Sequence, residues 1–266
     1  AHNRLLVFAR QPVPIQVTGF GCPCSTGLKT MHYRFSDPYR AGGYEQIVYL
    51  TSLIRWNPPL SEIPITALPF TYNGYITFGS GNHLFKLNSK VIRVWAEILQ
   101  HLPTAKLHLK NQQFNEPDTC HYLREQFASY GIAQDRLLLT RGSTQQAHLE
   151  FYQSLDIALD SFPYSGGITT CETLWMGVPV IGLNDHRSAN AANSLLHKVG
   201  LPDLIAESSE IYIQKALELA QNIDYLAQLR QSLRHKLLNS PICDGVSFAR
   251  EVEFAYRQMW QKWCHT

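Results

Sequence analysis

A chain of 266 residues, 45% of them hydrophobic and 17% charged, can bury a packed core as one large domain or two ordinary ones and does not have the composition of a disordered segment. Its formal charge of +2 is too near neutral to point to nucleic acid or a membrane surface as a partner, and no apolar run approaches the roughly 18 residues of a membrane-spanning helix. The opening residues "AHNRLLVFARQP" carry no signal peptide, and the six cysteines are scattered, with Cys22 and Cys24 too close for a CxxC site. Free thiols in a reducing, cytoplasmic compartment are the expectation.

Residues 1–74 are rich in proline and glycine, as in "RQPVPIQVTGFGCPCSTGL" and "RWNPPLSEIPITALP". Short strands are expected at 14–18, 33–37 and 46–50, with no helical pattern and a linker near 57–74. This stretch reads as part of a separate layer or domain. From residue 75 the pattern alternates. "YITFGS" (75–80) predicts a strand, and 89–102 a helix with Val91, Trp95, Ile98 and Leu102 on one face. A strand at 105–110 precedes a helix over 120–131 that stops at Gly131. A strand at 136–140 precedes a helix over 144–154, with Ser143 and Gln146 at capping-box spacing. "DIALDSF" (156–162) and "PVIGL" (179–183) read as strands flanking a helix over 169–177. Further helices are expected over 188–200, where Gly200 is the stop, and over 209–222 and 223–237. The segment 247–263 places Phe248, Val252, Tyr256, Met259 and Trp263 on one stripe, a long amphipathic helix that must dock on something large. Strands alternating with helices through short connections give an α/β fold with a doubly wound, Rossmann-like parallel sheet.

The stretch "FPYSGGITTCETLWMGVPVIGL" (162–183) places adjacent glycines, two threonines and a glutamate where a strand hands over to a helix. In such sheets ligands bind outside the carboxyl ends of the strands, and a helix starting there presents unpaired amides and a partial positive charge suited to phosphate. Gly166 and Gly167 let the backbone approach, Thr169 and Thr170 can add hydroxyl donors, and Glu172 can accept from ribose hydroxyls. The competing reading needs no ligand: Thr169 and Glu172 also have the i, i+3 spacing of a capping box. Neither a Walker A loop nor GxGxxG is present, so a dehydrogenase is disfavoured. The loop "FGSGNHLFK" (78–86) ends in Lys86, on the same rim, where an ammonium can meet a phosphate. Taken alone, Lys86 reads as a solvated surface lysine and His148 as a packed histidine. Together with the glycine turn they converge on one rim.

The segments "YITFGSGNHLFKLNSKVIRVWAEIL", "LDSFPYSGGITTCETLWMGVPVIGL" and "SPICDGVSFAREVEFAYRQMWQKW" resemble the catalytic region of the O-linked N-acetylglucosamine transferase / SPINDLY family. Upstream, "RLLVFARQPVPIQVTGFGCPCSTGLKTMHYRFSD" is similar to the end of that family's first catalytic domain. The resemblance implies a GT-B architecture: residues 1–70 as the remnant of an acceptor-side domain, 71–240 as a nucleotide-sugar-binding domain, and 241–266 as a helix crossing back. It implies inverting, metal-independent transfer of a sugar, usually N-acetylglucosamine, from a UDP-sugar to serine or threonine of a protein or peptide acceptor. No cofactor is expected beyond the UDP-sugar co-substrate.

By the resemblance, Lys86 holds the diphosphate and is the catalytic candidate, and His83 stands near the phosphates. Gln145 and His148 fall where the family contacts uracil. Gly167, Ile168 and Thr169 fall on the phosphate-binding helix start, beside the donor-site candidates Gly166 and Thr170 read from the turn itself, and Glu172 takes the ribose position. The sequence departs from the family at Ile168, which replaces a hydroxyl, at the 21–27 loop, and at Asn190, where an arginine is usual. It also lacks the front of the first domain and the tetratricopeptide repeats commonly found upstream. Either a fragment of a longer enzyme or a truncated protein is therefore expected. A non-catalytic nucleotide-sugar-binding or scaffold module is the alternative, and a sugar-nucleotide epimerase a third reading.

Overall fold

The computed structural model describes residues 4–265 except 22–23, 40–42, 61–62, 143 and 185–189. A single-turn helix α1 (Leu5–Phe8) precedes three short strands, β1 (Val17–Thr18), β2 (Tyr33–Ser36) and β3 (Gln46–Tyr49), which pair in parallel in the order β1-β2-β3. A one-turn helix α2 (Phe70–Asn73) then leads into the larger unit. This runs β4 (Thr77–Ser80), α3 (Ser89–His101), β5 (Lys106–Asn111), α4 (Pro117–Ala128), β6 (Leu137–Arg141), α5 (Gln145–Phe151), β7 (Ile157–Leu159), α6 (Ile168–Trp175), β8 (Val180–Leu183), α7 (Ala191–Lys198), β9 (Ile205–Ala206), α8 (Ser209–Gln221) and α9 (Ile223–Leu238). The helix α10 (Gly245–Cys264) follows.

The larger sheet has the order β6-β5-β4-β7-β8-β9, and every pair in it is parallel. This is the doubly wound α/β arrangement that the alternating pattern predicts. Its strand order reverses between β4 and β7, which opens a crevice at their carboxyl ends. Helix α3 shows how the sequence builds the unit. The Asn88 side chain accepts from the Val91 amide (3.1 Å) to cap its start, and Val91, Trp95 and Ile98 are buried as one face. Gly131 (φ +77°) and Gly200 (φ +73°) follow α4 and α7 in the left-handed conformation that ends helices.

Several boundaries shift from the sequence reading. Helix α4 starts three residues earlier than expected, with Pro117 in its first turn, where a missing N–H costs nothing. Helix α5 stops at Phe151 and tightens into a 3-10 turn over Tyr152–Ser154. Its cap is Thr144, whose hydroxyl accepts from the Ala147 amide (3.3 Å). Ser143, read as the capping residue, lies outside the described residues. Strand β7 keeps only three of the seven residues expected; the Asp160 amide still donates to the Ile181 carbonyl of β8 (3.0 Å) before the chain turns toward α6. The helices α1 and α2 and the two-residue strand β9 are too short to leave a periodic trace.

The segment expected to be a linker is pinned to the larger unit. Ile63 and Leu68 are buried, Arg234 donates to the Ile63 carbonyl (2.8 Å), and Arg230 donates to that of Thr66 (2.8 Å). Helix α10 docks on the first sheet, where Phe35, Leu50, Leu53, Ala255 and Met259 form a small core of their own, with Phe248 and Val252 packed against it. The far end of the expected stripe is wetter: Tyr256 and Trp263 are each 46% exposed.

Candidate functional site

Two loops meet at the crevice. After β4 the chain turns through Gly81 and Asn82 into a 3-10 turn over Leu84–Lys86. After β7, residues 160–167 lead into α6. The cap position of α6 is Gly167, and no side chain caps the helix. The capping-box alternative is thus not realised. Thr169 sits inside the first turn and its hydroxyl donates to Asn82 Oδ1 (3.2 Å), while Glu172 turns to His148. Among the described residues the amides of Gly167, Ile168 and Thr169 meet no acceptor. An open helix start of this kind is a ready anion site.

Lys86 stands on the same ledge. Its Nζ donates to the Ser165 carbonyl (2.8 Å) and to Asn82 Oδ1 (3.2 Å), leaving a third hydrogen without an acceptor among the described residues. Burial lowers its pKa from the ordinary lysine value, partly offset by the charge of Asp160. A phosphate arriving here would supply the missing counter-charge.

Beneath the ledge lies Asp160. Its Oδ1 accepts from the Gly166 amide (2.8 Å) and from Asn82 Nδ2 (3.0 Å), and its Oδ2 is buried with no partner among the described residues. Burial pushes its carboxyl up to about 6, against the pull of the Gly166 amide and Lys86. Gly166 is required by space: a Cβ there would lie 2.4 Å from Thr170 Oγ1 and 3.0 Å from Thr169 Oγ1. Thr170 corrects the sequence reading. At 3% exposed, it packs under Gly166 instead of presenting a hydroxyl donor to the crevice.

The other candidates divide. His148 Nε2 lies 3.3 Å from Glu172 Oε2 and 3.3 Å from the Tyr152 hydroxyl, and its ring closes over Gly81. Ile168 is 51% exposed at the open helix start. His83 is exposed and stacks on Phe85 (centroids 5.5 Å apart), and Gln145 is exposed at the start of α5. Neither joins the hydrogen-bonded cluster among the described residues. Sequence reasoning passed over Asn82, Asp160 and Ser165, which hold Lys86 and the helix start in place. The available signal was a carboxylate closing the apolar run "DIALD". Among the described residues no group of three or more His, Cys, Asp or Glu side chains could hold a metal ion, and no helix is long and apolar enough to cross a membrane.

The paired parallel sheets and the crevice at their strand ends are those of a GT-B glycosyltransferase. The structure aligns on a mutant of the Thermobaculum terrenum O-GlcNAc transferase with a TM-score of 0.88 and 35% identity, over 98% of this chain and 51% of that one. Residues 67–252 match glycosyl transferase family 41, and the chain belongs to that family. It is 38% identical over 277 aligned positions to a tomato (Solanum lycopersicum) protein named a probable UDP-N-acetylglucosamine–peptide N-acetylglucosaminyltransferase SPINDLY. It is 39% identical to the Arabidopsis thaliana protein of the same name. In both cases 99% of this chain aligns, and it spans less than a third of the relative's length, 29% and 30%.

Proposed function

We propose that this chain forms the donor-binding half, with part of the acceptor-side half, of an inverting protein glycosyltransferase. The enzyme would move N-acetylglucosamine from UDP-N-acetylglucosamine to serine or threonine hydroxyls. The observation that carries the reading is the uncapped start of α6 beside the anchored ammonium of Lys86, two cationic features on one ledge at the strand reversal. The names of the full-length relatives support the same donor and acceptor, and their greater length leaves room for the rest of the acceptor-side domain and for upstream repeats.

In this reading the amides of Gly167, Ile168 and Thr169 and the ammonium of Lys86 bind the diphosphate. Glu172 accepts from the ribose hydroxyls, His148 and Gln145 border the uracil, and His83 lies near the phosphates. As the sugar departs, negative charge grows on the UDP oxygens. Donors fixed beforehand stabilise that charge most in the transition state, which is where they accelerate the step. The charge is met by protein groups, so the proposal assigns no divalent metal.

Calorimetric titration of the protein with UDP tests the site; absence of heat at millimolar ligand would overturn the reading. Mass spectrometry of a serine- and threonine-bearing peptide incubated with the protein and UDP-N-acetylglucosamine tests the activity. A mass gain of one N-acetylhexosamine is the expected result. Binding with neither transfer nor hydrolysis would reassign the protein as a nucleotide-sugar-binding module.

A further inference from the structure

From the hydrogen bonds around the crevice we infer that Ser165 is a positioning residue for the diphosphate ledge, an inference that rests on the donor-binding reading above.

Two helices begin side by side here. Helix α6 follows β7, α7 follows β8, and each brings unpaired amides to the carboxyl edge of the sheet. The two starts are treated differently. At α7, Ser165 Oγ accepts from the amides of Ala191 (2.8 Å) and Ala192 (3.3 Å), and Asn190 Oδ1 accepts from that of Asn193 (3.1 Å). Protein oxygens therefore occupy the α7 start. At α6 no side chain plays that part. Among the described residues an anion entering between the two helices meets open amides on α6, whereas Ser165, with Asn190, closes the start of α7.

The same residue aims Lys86. Its carbonyl oxygen accepts from Nζ at 2.8 Å, and Asn82 Oδ1 accepts at 3.2 Å. An ammonium has three hydrogens in fixed tetrahedral directions, so anchoring two sets the direction of the third. The Ser165 carbonyl is itself held from two sides. Its neighbour Gly166 is tied to Asp160, and its own hydroxyl is tied to α7. Helix α7 is in turn fastened to the first sheet. Asp37, just past β2, accepts from Ser194 Oγ (2.7 Å) and pairs with Lys198 Nζ (3.2 Å), and Tyr39 stacks on His197 with centroids 4.2 Å apart. The Ser165 hydroxyl thus connects the ledge to the helix that joins the two sheets.

Replacing Ser165 by alanine removes the hydroxyl and keeps the carbonyl. We expect Ser165→Ala, which removes the acceptor of the Ala191 and Ala192 amides and loosens the carbonyl that aims Lys86, to weaken UDP binding about tenfold and to leave uridine binding within about twofold. Ser165→Thr, which retains the hydroxyl, should recover most of the UDP affinity. A residue that merely supported the fold would depress both ligands together with the melting temperature, and threonine would not restore the phosphate-dependent part. Calorimetry on the protein as encoded reads all of these. Unchanged UDP affinity in Ser165→Ala, or equal losses for UDP and uridine, overturns the assignment while leaving the donor site standing. Failure of the unaltered protein to bind UDP overturns the donor site, and this inference with it.

Discussion

Lys86 and Thr169 share one acceptor: Asn82 Oδ1 receives the lysine Nζ at 3.2 Å and the threonine hydroxyl at 3.2 Å. The loop after β4 and the helix after β7 are thereby joined across the strand reversal, by groups that a diphosphate would also engage. Because Asn82 Nδ2 donates in turn to Asp160, the exposed ledge rests on a buried carboxylate.

In the proposed donor site the ledge meets the phosphates and not the nucleoside. Lys86→Ala removes the ammonium and should weaken UDP binding roughly 10- to 100-fold, as expected for one charge-assisted hydrogen bond, with little effect on uridine. Glu172→Ala should weaken both ligands alike, since the ribose is common to them. Calorimetry with the two ligands checks the contrast; equal losses for Lys86→Ala would remove the lysine from the phosphate site.

Gly166→Ala forces a methyl group against Thr170 and Thr169, whose hydroxyls stand 2.4 and 3.0 Å from the position of its Cβ. Overpacking of this kind costs about 1–3 kcal/mol. The start of α6 should shift, and UDP affinity should fall along with the chemical midpoint of unfolding. A variant with wild-type stability and affinity would show that the loop is not closely packed.

The carboxyl of Asp160 is raised from an ordinary 3.8 to about 6 by burial. Between those values the folded chain holds a proton that the unfolded chain has released. Its contribution to stability is therefore complete below about pH 4 and is lost as pH rises through 6. Asp156, also raised to about 6, acts in the same direction. Asp160→Asn keeps the Oδ1 acceptor and places its amide where Oδ2 has no partner among the described residues. Urea unfolding at a series of pH values should show a shallower decline between pH 4 and 6 in the variant. An unchanged slope would mean that Asp160 does not titrate in this window.

Met259 belongs to the small core under α10. Met259→Ala should cost about 2–5 kcal/mol, a large share of what so few side chains can supply to the first sheet. Hydrogen exchange should quicken in β1–β3 and α10 while the strands of the larger sheet stay protected. Uniform loosening of both sheets would show that the two units unfold together.

The larger unit was legible because its signals are long. The face of Val91, Trp95 and Ile98, the stops at Gly131 and Gly200, and the strand at 75–80 each extend over enough residues to declare a period. That the glycine turn and Lys86 share one rim was legible because strand ends and helix starts fall where the alternating pattern places them. What escaped depends on pairs distant in the chain. Asn82 and Asp160 are ordinary polar residues until β4 and β7 become neighbours, and Ser165 acquires its role when α7 starts beside it. Thr170 was misread because i and i+1 on a helix face different ways: its neighbour Thr169 reaches Asn82, while Thr170 packs beneath Gly166.

The docking of α10 carries a consequence for synthesis. The side of the first sheet that includes Phe35 and Leu50 is covered by residues Ala255 and Met259, translated long after the strands themselves. Until α10 has emerged from the ribosome, Ala255 and Met259 cannot cover this side, although the larger sheet can already close around its own core. The nascent chain is most prone to stick to its neighbours during that interval.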